Sequence, residues 1–310
     1  MPRPFRFSLA ASSISDADTF VETARKVEDL GYSSIAMADH LDDQLAPLIA
    51  LTAAADATTE LRLTSLVLAN DYRHPAMVAK EAATLDQISD GRLELGLGAG
   101  WMISDYERAG LTYDRPGVRI ARLAESVAII KGLFGPDPVH HDGVHYTIAG
   151  LTGTPRPTQT PHPPLMIAGG GRKVLTLAAR QAAIIGINPG LAAGVIDERA
   201  GRSATPSATD QKLAWIREAA GERFEHLELQ TRVHVAAITD DRDGVALALG
   251  PALGIEPDEA IESPHALVGT VDECVETLQM WRERWGISYI GWGADACETM
   301  APVVARLAGT

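Results

Sequence analysis

Positive charge is in short supply in this chain. Its 310 residues carry 27 Lys and Arg against 41 Asp and Glu, a net charge of −14. Recognition of a phosphate backbone or an anionic lipid surface needs clustered cations, so nucleic acid and membrane are not expected as partners. Cysteine is scarce too. Cys274 and Cys297 belong to no CxxC pair and no Cys/His cluster, which removes the usual sequence basis for a zinc or redox site. Reduced, structural thiols in a cytoplasmic protein are the expectation. No apolar run reaches the roughly 20 residues that span a bilayer. The opening MPRPFRFSLA runs into a strand without a long apolar core, so no secretory leader is expected.

What remains is ordinary globular material, 46% hydrophobic and 22% charged, enough for a sizeable core. The length suits two ordinary domains or one large α/β barrel. Phe5 to Ala10 alternates like a strand. Asp16 to Leu30 places Phe20, Val21, Ala24, Val27 and Leu30 at a helical period and stops at Gly31. Further strands are expected at 33–40, 61–69, 92–100, 164–170, 183–188, 229–238 and 288–293, with helices between them. Strands alternating with helices at spacings of about thirty residues mean βαβ units and a parallel sheet. The expectation is a single (β/α)8 TIM barrel over residues 1–310, with insertions. Trp101 to Arg115 reads as a less regular stretch, and Val139 to Ile148, with its Asp-Gly turn, as a hairpin. Pro189 to Asp210, rich in Gly, Ala, Ser and Thr, is expected as a long mobile loop, and Asp240 to Pro264 as a second irregular insertion.

Chemistry concentrates at strand ends. Ser33 to His40 reads SSIAMADH and ends in adjacent Asp39 and His40. At the carboxyl end of a barrel strand, two ionisable groups suit a site. The alternative is that Asp39 caps the next helix and His40 bonds to backbone. GLGAG at Gly96 to Gly100 and AGGGRK at Ala168 to Lys173 are glycine turns on consecutive strands. The second runs straight into a helix, an arrangement that suits a phosphate; tight turning is the alternative for both. His140, His141 and His145 lie in the hairpin, where neighbours point to opposite faces, so no metal is expected. Trp281, Trp285 and Trp292 read as core. His234 is open between pocket lining and core.

Several stretches together resemble the bacterial luciferase-like flavoprotein superfamily, and within it the deazaflavin (coenzyme F420)-dependent oxidoreductases of actinobacterial type. They are MADH at 37–40, YRHPAMVAKEAATLDQISDGRLELGLGAGW from Tyr72 to Trp101, RPGVRIARLAESVAIIKGLF from Arg115 to Phe134, and PLMIAGGGRKVLTLAARQA from Pro164 to Ala182. The resemblance weakens between Pro189 and Pro264. It implies hydride transfer between the deazaflavin and a small organic substrate, or, alternatively, an FMN-dependent monooxygenase served by a separate reductase. It implies Asp39 beside the ring and His40 as the catalytic proton-handling group. It implies a non-proline cis peptide at Ser65–Leu66 beneath the ring. Ala99, Gly100, Trp101, Gly169, Gly170 and Gly171 would complete the cofactor site, and a homodimer is implied. Sugar-phosphate dehydrogenases of the family carry a glutamate where this chain has Trp101. No lysine is expected near strand six to grip a substrate phosphate, so an apolar substrate wall is expected instead.

Overall fold

Strand and helix alternate along almost the whole chain. The computed structural model describes residues 2–310. Its barrel strands are β1 (Arg6–Ala10), β2 (Ser34–Met37), β3 (Arg62–Ser65), β4 (Leu93–Gly98), β5 (Leu165–Gly169), β6 (Ile184–Ile187), β7 (Glu228–Arg232) and β8 (Ile287–Gly293). Each is followed, directly or after an insertion, by a helix. These are α1 (Ala17–Asp29), α2 (Pro47–Ala57), α3 (Pro75–Ile88), α4 (Pro116–Phe134), α5 (Arg172–Gln181), α6 (Pro206–Ala220), α7 (Val271–Trp285) and α8 (Ala301–Leu307). Neighbouring strands pair in parallel from β3 through β2, β1, β8, β7, β6 and β5 to β4. Leu63↔Leu93 and Thr64↔Glu94 then join β3 to β4 and close the barrel. This is the (β/α)8 fold.

Local chemistry accounts for the elements. Strands enclosed by helices are buried on both faces and lose the polar alternation of an exposed sheet; β2, β4 and β6 are buried throughout. Helix α1 starts where the Asp16 side chain accepts from the Thr19 amide, and it buries Phe20, Ala24 and Val27 along one stripe. Helices α2, α3, α4 and α6 each begin on a proline, where a missing N–H costs nothing. A capping box between Thr270 and Glu273 opens α7. Trp281, Trp285 and Trp292 are all buried in the core. The hairpin forms between Val139–Asp142 and Thr147–Leu151, with His140 exposed and His141 Nε2 3.2 Å from Glu125. Among the described residues, no helix is long and apolar enough to cross a membrane.

Four stretches differ from expectation. Pro189 to Asp210 is only in part a loop: residues 189–197 are irregular, Asp197 caps a short helix (Glu198–Arg202), and α6 already starts at Pro206 behind the Thr205 cap. Asp240 to Pro264 contains helices Arg242–Leu253 and Pro257–Ile261. Short apolar stretches in small-residue sequence hid their period in both. The stretch after β4 holds a helix, Ile103–Ala109, ended by Gly110. The seventh strand is two. β7 ends at Arg232, Val233 donates to the Gly291 carbonyl, and His234 donates to the His265 carbonyl. Val235–Ile238 then leaves the barrel and pairs in parallel with Ala266–Gly269.

The amino-terminal end of the barrel is filled by charge. Glu94 is fully buried and accepts from Arg6 (2.5 Å), Arg62 (2.7 Å), Thr64 (3.0 Å) and Tyr289 (3.0 Å). Burial opposes its ionisation, but the two guanidiniums outweigh burial and hold its carboxyl below the usual range. Replacing Glu94 by leucine leaves Arg6 and Arg62 without their shared acid. Loss of one partner of a buried ion pair costs about 3–5 kcal/mol. Urea unfolding of Glu94→Leu is expected to show a destabilisation of that order; a loss below about 1 kcal/mol would mean these charges are not coupled.

Candidate active site

The mouth of the barrel collects the strand ends into a cavity of about 640 Å3. Asp39 and His40 both line it, immediately beyond β2. Neither takes the cap-and-backbone alternative. Asp39 accepts from the Ala69 amide (3.0 Å) and from Arg73 through both terminal nitrogens (2.5 and 3.1 Å). Such a bidentate fork fixes a carboxylate in orientation as well as charge. His40 places Nδ1 2.8 Å from Asp105 Oδ2. A carboxylate can only accept, so Nδ1 carries the proton and Nε2 is left without a protein partner. Tyr72 also donates to Asp105 Oδ2 (3.3 Å); burial and the Asp105 charge push its phenol up, so it remains a donor. The ring of Trp101 meets His40 edge-on, centroids 5.7 Å apart.

Beneath this pair the chain leaves β3 through a ledge. The non-proline cis peptide is Leu66–Val67, one residue beyond the expected Ser65–Leu66. The β2 ladder explains the shift, because the Leu66 amide still bonds to the Met37 carbonyl (2.7 Å) and only the next peptide is free of it. Leu66 and Val67 line the cavity. Ser65 does not. It is buried below the ledge, its hydroxyl bonding the amide and carbonyl of Gly96 (2.8 and 3.0 Å). Gly96 is required there, since a Cβ would fall 1.9 Å from the Ser65 carbonyl oxygen.

Ala99, Gly100 and Trp101 continue the wall from β4. Gly100 has φ +72°, and a Cβ on it would meet the Tyr106 hydroxyl at 1.9 Å. Turn geometry alone therefore accounts for this glycine. Arg119 of α4 donates to the Gly100 carbonyl and, at 3.1 Å, to the Tyr113 hydroxyl, clamping the loop. Gly169 at the end of β5 and Gly170 and Gly171 beyond it line the cavity, together with Arg172 and Lys173 of α5. Gly171 is the N-cap of α5, and no side chain caps that end.

Opposite chemistry marks the β7 side. Arg232, His234 and His265 line the cavity there, and apolar Ile196, Leu249 and Leu253 line the same cavity. Lys212 of α6 reaches the end of β6, against expectation. Its ammonium donates to the carbonyls of Asn188 (2.9 Å) and Ser203 (2.5 Å), and burial lowers its pKa to about 8. It ties the ordered 189–205 segment to β6 rather than standing free for a ligand.

A family model described as luciferase-like monooxygenase matches residues 3–289. The chain belongs to this family. An F420-dependent glucose-6-phosphate dehydrogenase of Nakamurella multipartita is 29% identical, covering 93% of this chain and 84% of its own. One of the same description from Amycolatopsis mediterranei is 32% identical over 52% of this chain, which spans about half (50%) of that relative. An FMNH2-dependent dimethylsulfone monooxygenase of Pseudomonas putida is 29% identical over 40% of this chain and 34% of its own. The coenzyme F420-dependent tetrahydromethanopterin reductase of Methanopyrus kandleri superposes with a TM-score of 0.79, covering 99% of both chains at 18% identity; that likeness is one of fold.

In this luciferase-like chain, nine of the ten residues singled out from sequence share one cavity, and Ser65 lies beneath it. Sequence reasoning missed Arg73, Asp105 and Arg232. Arg73 sat in plain view in the YRHP stretch; Asp105 lay in a segment read as irregular, and Arg232 inside a strand read as continuous.

Full burial pushes His265 down to about 3; His234 is exposed at the cavity wall, where the surrounding protein and the Arg232 charge act in the same direction. Both are neutral at pH 7. In the unfolded chain an imidazole takes up its proton near 6.5. The unfolded state therefore binds more protons as pH falls from about 6.5 towards 4, and stability declines across that window. Urea unfolding at pH 7.5 and 5.0 should show this decline, and the double variant His234→Gln with His265→Gln should flatten it, most of the effect coming from the buried His265. An unchanged slope in the double variant would assign the acid lability elsewhere.

Proposed function

We propose that the protein is an oxidoreductase that transfers a hydride between a reduced deazaflavin, coenzyme F420, and a small organic substrate. The observation that carries this reading is the Asp105-held imidazole of His40, set on the wall of the same cavity as the bare N-terminus of α5. Bare helix amides and the helix dipole attract a phosphate. Gly171 adds to the fit, because a Cβ there would meet nothing within 4 Å and its φ of −104° suits any residue. Neither packing nor backbone requires glycine at 171; a ligand approaching the backbone would. Gly169 and Gly170 would hold the same tail, and the Leu66–Val67 ledge would support the ring. When bound, the deazaflavin supplies the redox chemistry.

The chain's own part is placement and proton handling. Asp105 fixes the His40 tautomer, so Nε2 takes up or returns a proton at the reacting partner. Arg73 keeps Asp39 oriented. Trp101 and Leu66 give the cavity an apolar wall. Trp101 in place of a glutamate and the engagement of Lys212 argue against a sugar phosphate as substrate. The choice of deazaflavin over FMN draws on the two glucose-6-phosphate dehydrogenase relatives.

Parallel fluorescence titration of the purified protein with the deazaflavin and with FMN tests the cofactor. Tight binding of the deazaflavin alone is expected; tight binding of FMN alone would replace this reading with a reductase-served monooxygenase. Once a substrate is found, His40→Ala should lower turnover by roughly 10²–10⁴-fold while leaving deazaflavin affinity unchanged. Asp105→Asn should act in the same direction. Full activity in His40→Ala would remove the histidine from the chemistry.

A further inference from the structure

Three arginines line the cavity, and two of them are engaged. Arg119 holds the Gly100 carbonyl and the Tyr113 hydroxyl, and Arg172 pairs with Glu218 (3.0 Å). Arg232 differs. Its backbone carbonyl holds His265 Nδ1 (2.9 Å), but its side chain takes part in no ion pair and no hydrogen bond among the described residues, and its Nε is buried without a partner. A guanidinium remains charged at any pH the protein meets; Arg232 is half-buried at the cavity wall, and its terminal nitrogens are accessible there without a protein partner. Burial disfavours its charged form, and the field of Asp295 offsets this only in part.

We propose that Arg232 anchors a single negative charge, a carboxylate, on the organic substrate, whose body lies against the apolar wall of Ile196, Leu249 and Leu253. This rests on the reading of the cavity as a substrate site. Placement supports it. Arg232 lies three strands round the ring from the β2 end that carries His40 and two strands from the α5 N-terminus, so an anchored substrate and a cofactor phosphate occupy different ends. On the β7 side the charge count selects the class, since the cavity's other unengaged cation, Lys173, stands at the start of α5. Lys212 is held by two carbonyls, and His234 and His265 are neutral at pH 7. One cation balances a monoanion; a phosphate monoester, close to a dianion at neutral pH, would leave a negative charge uncompensated in the cavity. The planar fork matches a carboxylate through two parallel bonds.

The test needs no turnover. Hexanoate, hexanamide and hexyl phosphate are titrated calorimetrically into the protein without cofactor, in wild type, Arg232→Met and Arg232→Lys. The expected result is that wild type binds hexanoate roughly tenfold or more tighter than hexanamide and tighter than hexyl phosphate. Arg232→Met should lose that preference, and Arg232→Lys should keep part of it. Equal binding of acid and amide by wild type overturns the proposal, as does a preference for the phosphate or no binding of any probe. The wild-type comparison stands even if Arg232→Met fails to fold. Deazaflavin titration of the same variants separates the sources of the anion. Unchanged deazaflavin affinity in Arg232→Met supports a substrate anchor; lost deazaflavin affinity with hexanoate binding intact assigns Arg232 to the cofactor and overturns the proposal. A protein that turns out to use FMN leaves the acid–amide comparison untouched.

Discussion

Glu94 is the constraint on which the mouth of this barrel depends. Its carboxylate lies inside the ring and draws together Arg6 of β1, Arg62 and Thr64 of β3, and Tyr289 of β8, while Arg6 also reaches Glu228 of β7 at 3.3 Å. Five of the eight strands are thereby fixed relative to one another at the amino-terminal end. Strands pinned at one end and closed by the β3–β4 pairing have little freedom at the other. The side chains just beyond their carboxyl ends inherit that rigidity, which a hydrogen bond as directional as His40 to Asp105 needs.

A second layer of fixation acts at the mouth itself. Neighbouring residues at the end of β2 are held by different loops: Asp39 by Arg73, beyond β3, and His40 by Asp105, beyond β4. Each bond crosses from one βα unit to another, so a displacement of either loop would turn one side chain and leave its neighbour in place. The site is a property of three successive units and not of the MADH stretch alone.

The barrel was legible because its strands are short apolar runs cut by glycine and separated by periodic helices, and because that pattern repeats. Asp39, His40 and the glycine turns were legible because the carboxyl ends of such strands are where a barrel exposes side chains. The rest depended on contacts between distant parts of the chain. Nothing local marks Asp105 as the partner of a histidine 65 residues away. The cis peptide was misplaced by one residue because strand length is set by a ladder to β2, not by the sequence of β3. Ser65 was taken for a ring contact for the same reason. The 189–205 segment looked loose because it lacks an apolar period; Lys212, Ser203 and the Asp197 cap order it through polar contacts that composition does not reveal.

The departure of the chain from the barrel after Val233 has a wider consequence. The ladder of Val235–Ile238 with Ala266–Gly269 and its two helices gather an apolar cluster of their own, with Ala246, Ile261 and Val268 at its centre, separate from the main core. That annex contributes Val235, Leu249, Leu253 and Ala260 to the cavity yet shares little of its packing with the strands that carry Asp39 and His40. Changes in sequence there can reshape one end of the cavity without disturbing the other. The architecture divides the cavity between two separately packed parts of the chain, so its shape at the annex end can vary while the geometry around Asp39 and His40 is kept.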